Sequence, residues 1–193
     1  QCGSRGLGDV YKRQPMKCSP GWDLDYNDCH NPGKGGNGES RMSVINANGV
    51  LGGKVAMITG ASRGIGDALA RRYAMEGARV VVSARTVQGG DHYLPGSINE
   101  TVADIVAAGG EAIAVKADLA LAEDRQGLVD SAIDAYGAVD ILVKNAAFTY
   151  FIPVTDFPEK RFRLMMDVQV WAPFELAQLV LPHMRERGSG WIL

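Results

Sequence analysis

The stretch Thr59-Gly60-Ala61-Ser62-Arg63-Gly64-Ile65-Gly66 holds the clearest chemistry in the chain. It closes a short apolar, β-branched run and opens onto a helical pattern, and each glycine has its own task there. Gly60 allows a tight turn, Gly64 lets the backbone approach a pyrophosphate, and Gly66 permits close packing of helix against strand. The helix start then offers unpaired N–H groups and partial positive charge to phosphates, with Ser62 and Ile65 as further cofactor contacts. A Walker loop would continue Gly-Lys-Ser/Thr, whereas Gly66 is followed by Asp67. A SAM-dependent methyltransferase would close its second strand with an acid, where this chain reads Ser83-Ala84-Arg85. The missing acid also discriminates between dinucleotides. NAD recognition favours Asp or Glu at that position, and a nearby Arg accommodates the 2′-phosphate of NADP. Arg63 and Arg85 are therefore expected to clamp that phosphate from both sides, with NADP(H) preferred over NAD(H). The plainer alternative is a pair of solvated surface arginines.

Other reactive residue types are sparse. The three cysteines, Cys2, Cys18 and Cys29, lie in the first 53 residues at spacings that fit no zinc site, and the Cys29-His30 pair does not repair this. No cysteine follows residue 29, which suits a reducing cytoplasm. His92 reads as a surface loop residue rather than a base. With 20 Lys+Arg against 22 Asp+Glu the net charge is −2, so no basic excess exists to hold a nucleic acid. No apolar run reaches the roughly 20 residues of a membrane span, so no membrane is expected among the partners.

The elements that position the loop follow from apolar periodicity. Residues 1–53 hold 11 of the 24 Gly and 3 of the 8 Pro, with seven Leu, Ile, Val or Phe. Such a segment buries too little apolar surface to offset its ordering entropy and is expected to be disordered. Gly8-Asp9-Val10-Tyr11-Lys12-Arg13-Gln14 resembles translated library-adaptor sequence, which makes Met42 the expected start; an authentic extension is the alternative. From Lys54 strands alternate with helices. Strands are expected at Val55–Thr59, Arg79–Ser83, Ala112–Lys116 and Val139–Val143, with a fifth beginning at Trp191. Helices are expected from Arg63 to Glu76, on an apolar face of Ile65, Leu69 and Tyr73, then over Ile98–Ala108 and 122–136. A long helical region from Glu159 to Glu186 should bend or restart at Pro182. Helices between short apolar strands imply an α/β, doubly wound parallel sheet with right-handed crossovers, cut off after the start of strand five.

The loop Thr59–Gly66, Asp118-Leu119 after strand three and Asn145-Ala146-Ala147 after strand four, in this order, resemble the short-chain dehydrogenase/reductase family over residues 52–193. The resemblance implies a Rossmann fold and residue roles. Asp118 would accept from the adenine amino group with Leu119 beside the ring, or else Asp118 caps the next helix. Asn145 would steady the sheet, and Ala146-Ala147 would line the nicotinamide ribose. Ala147 stands where the family usually has Gly, and Lys144 where Asn is frequent. Gln169 aligns with the family's active-site Asn in the long helix, with ordinary helix polarity as the alternative. The longer connection Gln88–Gly96 resembles an insertion in hydroxysteroid-dehydrogenase-like members. Trp171, Phe174, Leu176, Leu179 and Val180 form an apolar face that the resemblance assigns to a second subunit, hence a homo-oligomer, and that core packing explains equally well.

The family's chemistry rests on a Ser and a Tyr-x-x-x-Lys pair. The tyrosines at 11, 26, 73, 93, 136 and 150 are followed four residues on by Pro15, His30, Gly77, Ser97, Asp140 and Val154, and none is Lys. The expectation is thus the cofactor-binding portion of an NADP-dependent oxidoreductase acting on a small carbonyl or alcohol substrate, inactive by itself. The alternative is a non-catalytic dinucleotide-binding or regulatory module.

Overall fold

The computed structural model describes residues 45–193. The cysteines, the adaptor-like segment and Met42 lie outside the described residues. Five parallel strands form one sheet in the order β3-β2-β1-β4-β5. They are β1 (Val55–Thr59), β2 (Arg79–Ala84), β3 (Glu111–Lys116), β4 (Ile141–Val143) and β5 (Trp191–Ile192). The intervening helices are α1 (Gly64–Met75), α2 (Ile98–Ala107) and α3 (Ala122–Tyr136), then α4 (Glu159–Met166), a wide π-helical turn over Asp167–Trp171, and α5 (Ala172–Glu186). The chain builds outward from β1 to β3, then returns to the other side of β1 for β4. That reversal opens a crevice between the carboxyl ends of β1 and β4, the usual ligand site of an open parallel sheet.

All five residues of β1 are buried, and their alternation divides the core in two. Val55 and Met57 face α3 and α5, with Leu128, Val129, Leu142, Leu176 and Val180. Ala56 and Ile58 face α1 and α2, with Ala70, Ala74, Ile98 and Ile105. Helix α1 buries Gly66, Ala70 and Ala74, one position round from the expected face, while Ile65 is 74% exposed at the crevice mouth. The small residues let α1 lie close to the sheet, which larger side chains at those positions would prevent.

Three further features differ from expectation. Residues 45–53, expected in the disordered leader, form turns against α1. Asn46 N–H donates to the Met75 carbonyl at 2.9 Å and Leu51 N–H to that of Glu76 at 3.0 Å, using carbonyls a helix end leaves unpaired. Ile45 and Leu51 pack on the α1–α2 side of the core, so these two apolar side chains and the bonds to the end of α1 together seat the segment. Helix α5 runs unbroken through Pro182, because Leu176, Val180 and Met184 are buried on one face on both sides of it. The interruption comes earlier, in the wide turn, where the Ala172 N–H reaches back to the Asp167 carbonyl. Pro173 follows at once; widening the turn before a proline relieves the clash of its ring with a carbonyl four residues back. Among the described residues no helix is long and apolar enough to cross a membrane.

Candidate functional site

A cleft of about 760 Å³ opens at the carboxyl ends of the strands. It is lined by Gly60, Ser62, Arg63 and Ile65 after β1, Arg85 after β2, Asp118 and Leu119 after β3, and Asn145, Ala146 and Ala147 after β4. Gly64 and Gly66 complete the loop without being among the lining residues.

The loop's glycines are held in three different environments. Gly60 has φ +68°, and a Cβ on it would fall 2.8 Å from the Ala146 Cα. Gly64 has φ +60° and open space around it. A Cβ on Gly66 would meet the Gly60 carbonyl oxygen at 2.4 Å and the Asn145 amide nitrogen at 2.5 Å. Asn145 explains the tightness: its Nδ2 donates to the Thr59 and Gly60 carbonyls at 2.9 and 3.1 Å. The Thr59 hydroxyl donates to the Val143 carbonyl and accepts from the Ala146 N–H, so the ends of β1 and β4 are laced together. This lacing sets the width of the crevice. The N–H groups of the first turn of α1 open beside it.

The base of α1 is clipped to α2 through Asp67, whose carboxylate accepts from Thr101 Oγ1 at 2.7 Å and from Arg71 at 2.8 Å. Arg71 also pairs with Asp104 at 2.6 Å. Burial alone would lower the Arg71 guanidinium, but the Asp104 hydrogen bond and the charge of Asp67 hold it above its ordinary value. Helix α2 starts on a side-chain N-cap, Ser97 Oγ accepting from the Glu100 N–H at 3.2 Å.

Asp118 is not the helix cap that one reading allowed. Leu121 occupies that position without a side-chain bond, and Asp118 Oδ1 instead accepts from the Ala120 N–H at 3.1 Å. The Asp118 N–H donates to Asp124 at 2.7 Å, and Arg125 Nη1 donates to the Leu119 carbonyl at 2.6 Å. Arg125 is only 4% exposed and also pairs with Glu175 of α5. The Asp118-Leu119 shelf is thus fixed from α3 and, through Arg125, from α5.

The two arginines stand differently. Arg85 is exposed and makes no hydrogen bond or ion pair among the described residues. Arg63 bonds to the segment that follows β2, where His92 accepts from it at 3.0 Å. His92, expected on a free surface, thereby becomes part of the cleft wall with Tyr93 and Leu94.

Gln169 is not among the residues that line the cleft. It lies half-buried in the wide turn, and Leu164 and Val168 line the cleft from that region instead. Sequence reasoning missed the far end of the cleft, formed by Phe148, Thr149 and Tyr150. Tyr150 stands edge-on to Phe148 and to Phe157, with the Arg161 guanidinium 4.7 Å from its ring. The aromatic run Phe148-Thr149-Tyr150-Phe151 directly after the Asn-Ala-Ala segment was the available signal.

Comparison with known proteins agrees with this geometry. The model of the short chain dehydrogenase family matches residues 54–193. An oxidoreductase of Methylorubrum extorquens is 39% identical over 139 residues, covering 72% of this chain and 53% of that protein. Hydroxysteroid dehydrogenase-like protein 2 of Bos taurus is 35% identical over 145 residues, covering 75% of this chain and 34% of its own length. The chain therefore spans about half the length of the first relative and about a third of the second. A metagenomic short-chain oxidoreductase, solved in complex with NADP, superposes with a TM-score of 0.66 at 35% identity, covering 72% of this chain and 60% of that one. With its 3-2-1-4-5 sheet, glycine loop and laced crevice, this chain belongs to the short-chain dehydrogenase/reductase family.

Proposed function

We propose that the cleft binds NADP(H) in preference to NAD(H), and that the protein is an oxidoreductase interconverting a small carbonyl compound and its alcohol. One observation carries the cofactor reading. Arg63 and Arg85 flank one cleft, and neither pairs with a carboxylate among the described residues. Two uncancelled guanidinium charges beside a ribose site suit a 2′-phosphate, and no acid ends β2 to take ribose hydroxyls. The NADP carried by the related metagenomic structure supports the same choice.

When bound, the nicotinamide would supply the hydride. The chain's own residues hold the dinucleotide: Gly60, Ser62, Gly64, Ile65 and Gly66 at the pyrophosphate, Asp118 and Leu119 at the adenine, Asn145, Ala146 and Ala147 at the nicotinamide ribose. No Tyr-x-x-x-Lys pair occurs in the sequence, so cofactor binding without turnover is the reading for these 193 residues by themselves. Gln169, next to the cleft-lining Val168 in the wide turn, remains the candidate for the place of the family's active-site Asn. A homo-oligomer and a reducing cytoplasmic location complete the proposal, supported by the exposed apolar stripe on α4 and α5 and by the absence of cysteine after residue 29.

Calorimetric titration of the chain with NADPH and with NADH tests this. Binding of NADPH at least tenfold tighter than NADH is expected, from a charge-assisted arginine–phosphate contact. No heat at millimolar NADPH would sink the proposal. The missing catalytic pair favours a second reading, a non-catalytic dinucleotide sensor. It predicts tight NADPH binding by this chain, and no binding at millimolar ligand would exclude it.

A further inference from the structure

Arg63 belongs to the phosphate loop, yet its side chain is gripped by a segment about thirty residues further along. Nε donates to the Pro95 carbonyl at 3.2 Å and Nη1 to His92 Nδ1 at 3.0 Å. Nη2 donates to Thr86 Oγ1 at 3.1 Å and to the Gly96 carbonyl at 3.0 Å. A guanidinium has five N–H groups, so one, on Nη1, is left over. The segment sits directly on the loop, since a Cβ on Gly96 would lie 2.5 Å from the Ser62 carbonyl oxygen.

His92 Nδ1 also accepts from the Leu94 N–H at 3.1 Å. Both neighbours of this nitrogen are donors and nothing else, so Nδ1 is bare and the ring proton sits on Nε2. All four groups that hold Arg63 are therefore neutral: two carbonyls, a hydroxyl and an imidazole. They fix the guanidinium without cancelling its charge. The acid of the segment, Asp91, is turned to the Val87 and Gln88 N–H groups.

We propose that His92 is a positioning residue for cofactor selectivity. It orients Arg63 so that the remaining Nη1–H and the uncancelled charge, beside Arg85, meet the 2′-phosphate of an NADP-type dinucleotide. The proposal rests on the cofactor reading above, and the two fail in different ways.

The test is calorimetry of the whole chain and three variants with NADPH and NADH, with circular dichroism to check folding. His92→Ala should raise the Kd for NADPH about tenfold, the worth of one hydrogen bond to a charged group, and leave that for NADH unchanged. His92→Asn keeps an acceptor near the place of Nδ1 and should restore the parent's ratio. His92→Asp supplies a charged acceptor that neutralises Arg63, and should abolish the preference. If the parent chain shows no preference for NADPH, the cofactor reading fails, and this proposal with it, before any variant is made. A parent preference that survives in His92→Ala, or an equal weakening of both cofactors, overturns this proposal alone. If His92→Ala does not fold, the contrast between Asn and Asp decides, and equal ratios in those two overturn it.

Discussion

Gly64 and Gly66 are two residues apart in one loop and should respond to the same substitution in different ways. Alanine at 66 would press its methyl against the Gly60 carbonyl and the Asn145 amide, at 2.4 and 2.5 Å, and neither can yield without unlacing β1 from β4. Gly66→Ala should therefore cost about 3 kcal/mol, the upper range for overpacking. Alanine at 64 meets no atom within 4 Å and suffers only the left-handed φ of +60°, about 1 kcal/mol. Urea unfolding of both variants measures this, and equal losses would refute the packing role given to Gly66. The loop was legible in the sequence because each glycine answers a local demand at a fixed spacing. The grip of His92 on Arg63 was not legible, since it depends on how the segment 86–96 folds back across the loop. Asp118 lay between, with its place after β3 readable and its bonding partners set by α3.

At the level of elements, buried parallel strands announce themselves as unbroken apolar runs, and β1 spans the residues expected of it, Val55–Thr59. Helices proved readable in extent but less so in orientation. The pattern Ile65, Leu69, Tyr73 marked the flank of the buried face of α1, where Leu69 and Tyr73 pack on the core, but not its centre, where small residues at 66, 70 and 74 let the helix approach the sheet. The wide turn at Asp167–Trp171 was invisible, since one extra residue per turn leaves apolar spacing nearly unchanged over so short a span. Proline misled in the opposite sense. Pro182 is expected to break a helix, yet the buried series Leu176, Val180, Met184 holds α5 in one phase across it. The local penalty is still present: no N–H at 182 can reach the Gln178 carbonyl, and the ring crowds that turn. Because Pro182 is exposed, replacing it loses little packing. Pro182→Ala should raise stability by about 1–2 kcal/mol, the propensity gain of roughly 3 kcal/mol reduced by the freer unfolded chain. Urea midpoints measure it, and a loss of stability would mean that the ring itself packs.

At the scale of the molecule, two of the apolar surfaces that the described residues turn outward differ in how well they are guarded. One is the β5 edge, where Trp191, Ile192 and Leu193 are exposed. An edge of this kind invites pairing with other chains, and a lysine close to it discourages that. Lys54 supplies such a charge, its Nζ lying 5.4 Å from the Trp191 ring. The other surface runs along α4, the wide turn and α5, where Phe162, Met166, Val170 and Phe174 recur at every fourth residue with the Trp171 ring tilted against that of Phe174. Val170 and Phe174 are 54% and 55% exposed, while the inward side of the same helices is satisfied by Val168, Ala172, Leu176 and Val180. The apolar face expected at 171–180 is thus two faces, one in the core and one open to water. An open stripe of this length on a folded chain marks a contact surface. The chain should therefore self-associate reversibly through α4 and α5, more strongly when sulfate replaces chloride, as apolar contacts do. The double variant Val170→Glu/Phe174→Lys leaves the net charge unchanged and the inward face intact, so it should sediment as a monomer at concentrations where the parent forms dimers or larger species. Sedimentation equilibrium decides between the surfaces: if the double variant associates like the parent and Trp191→Lys does not, the β5 edge carries the association and the oligomer face proposed for the helices is wrong.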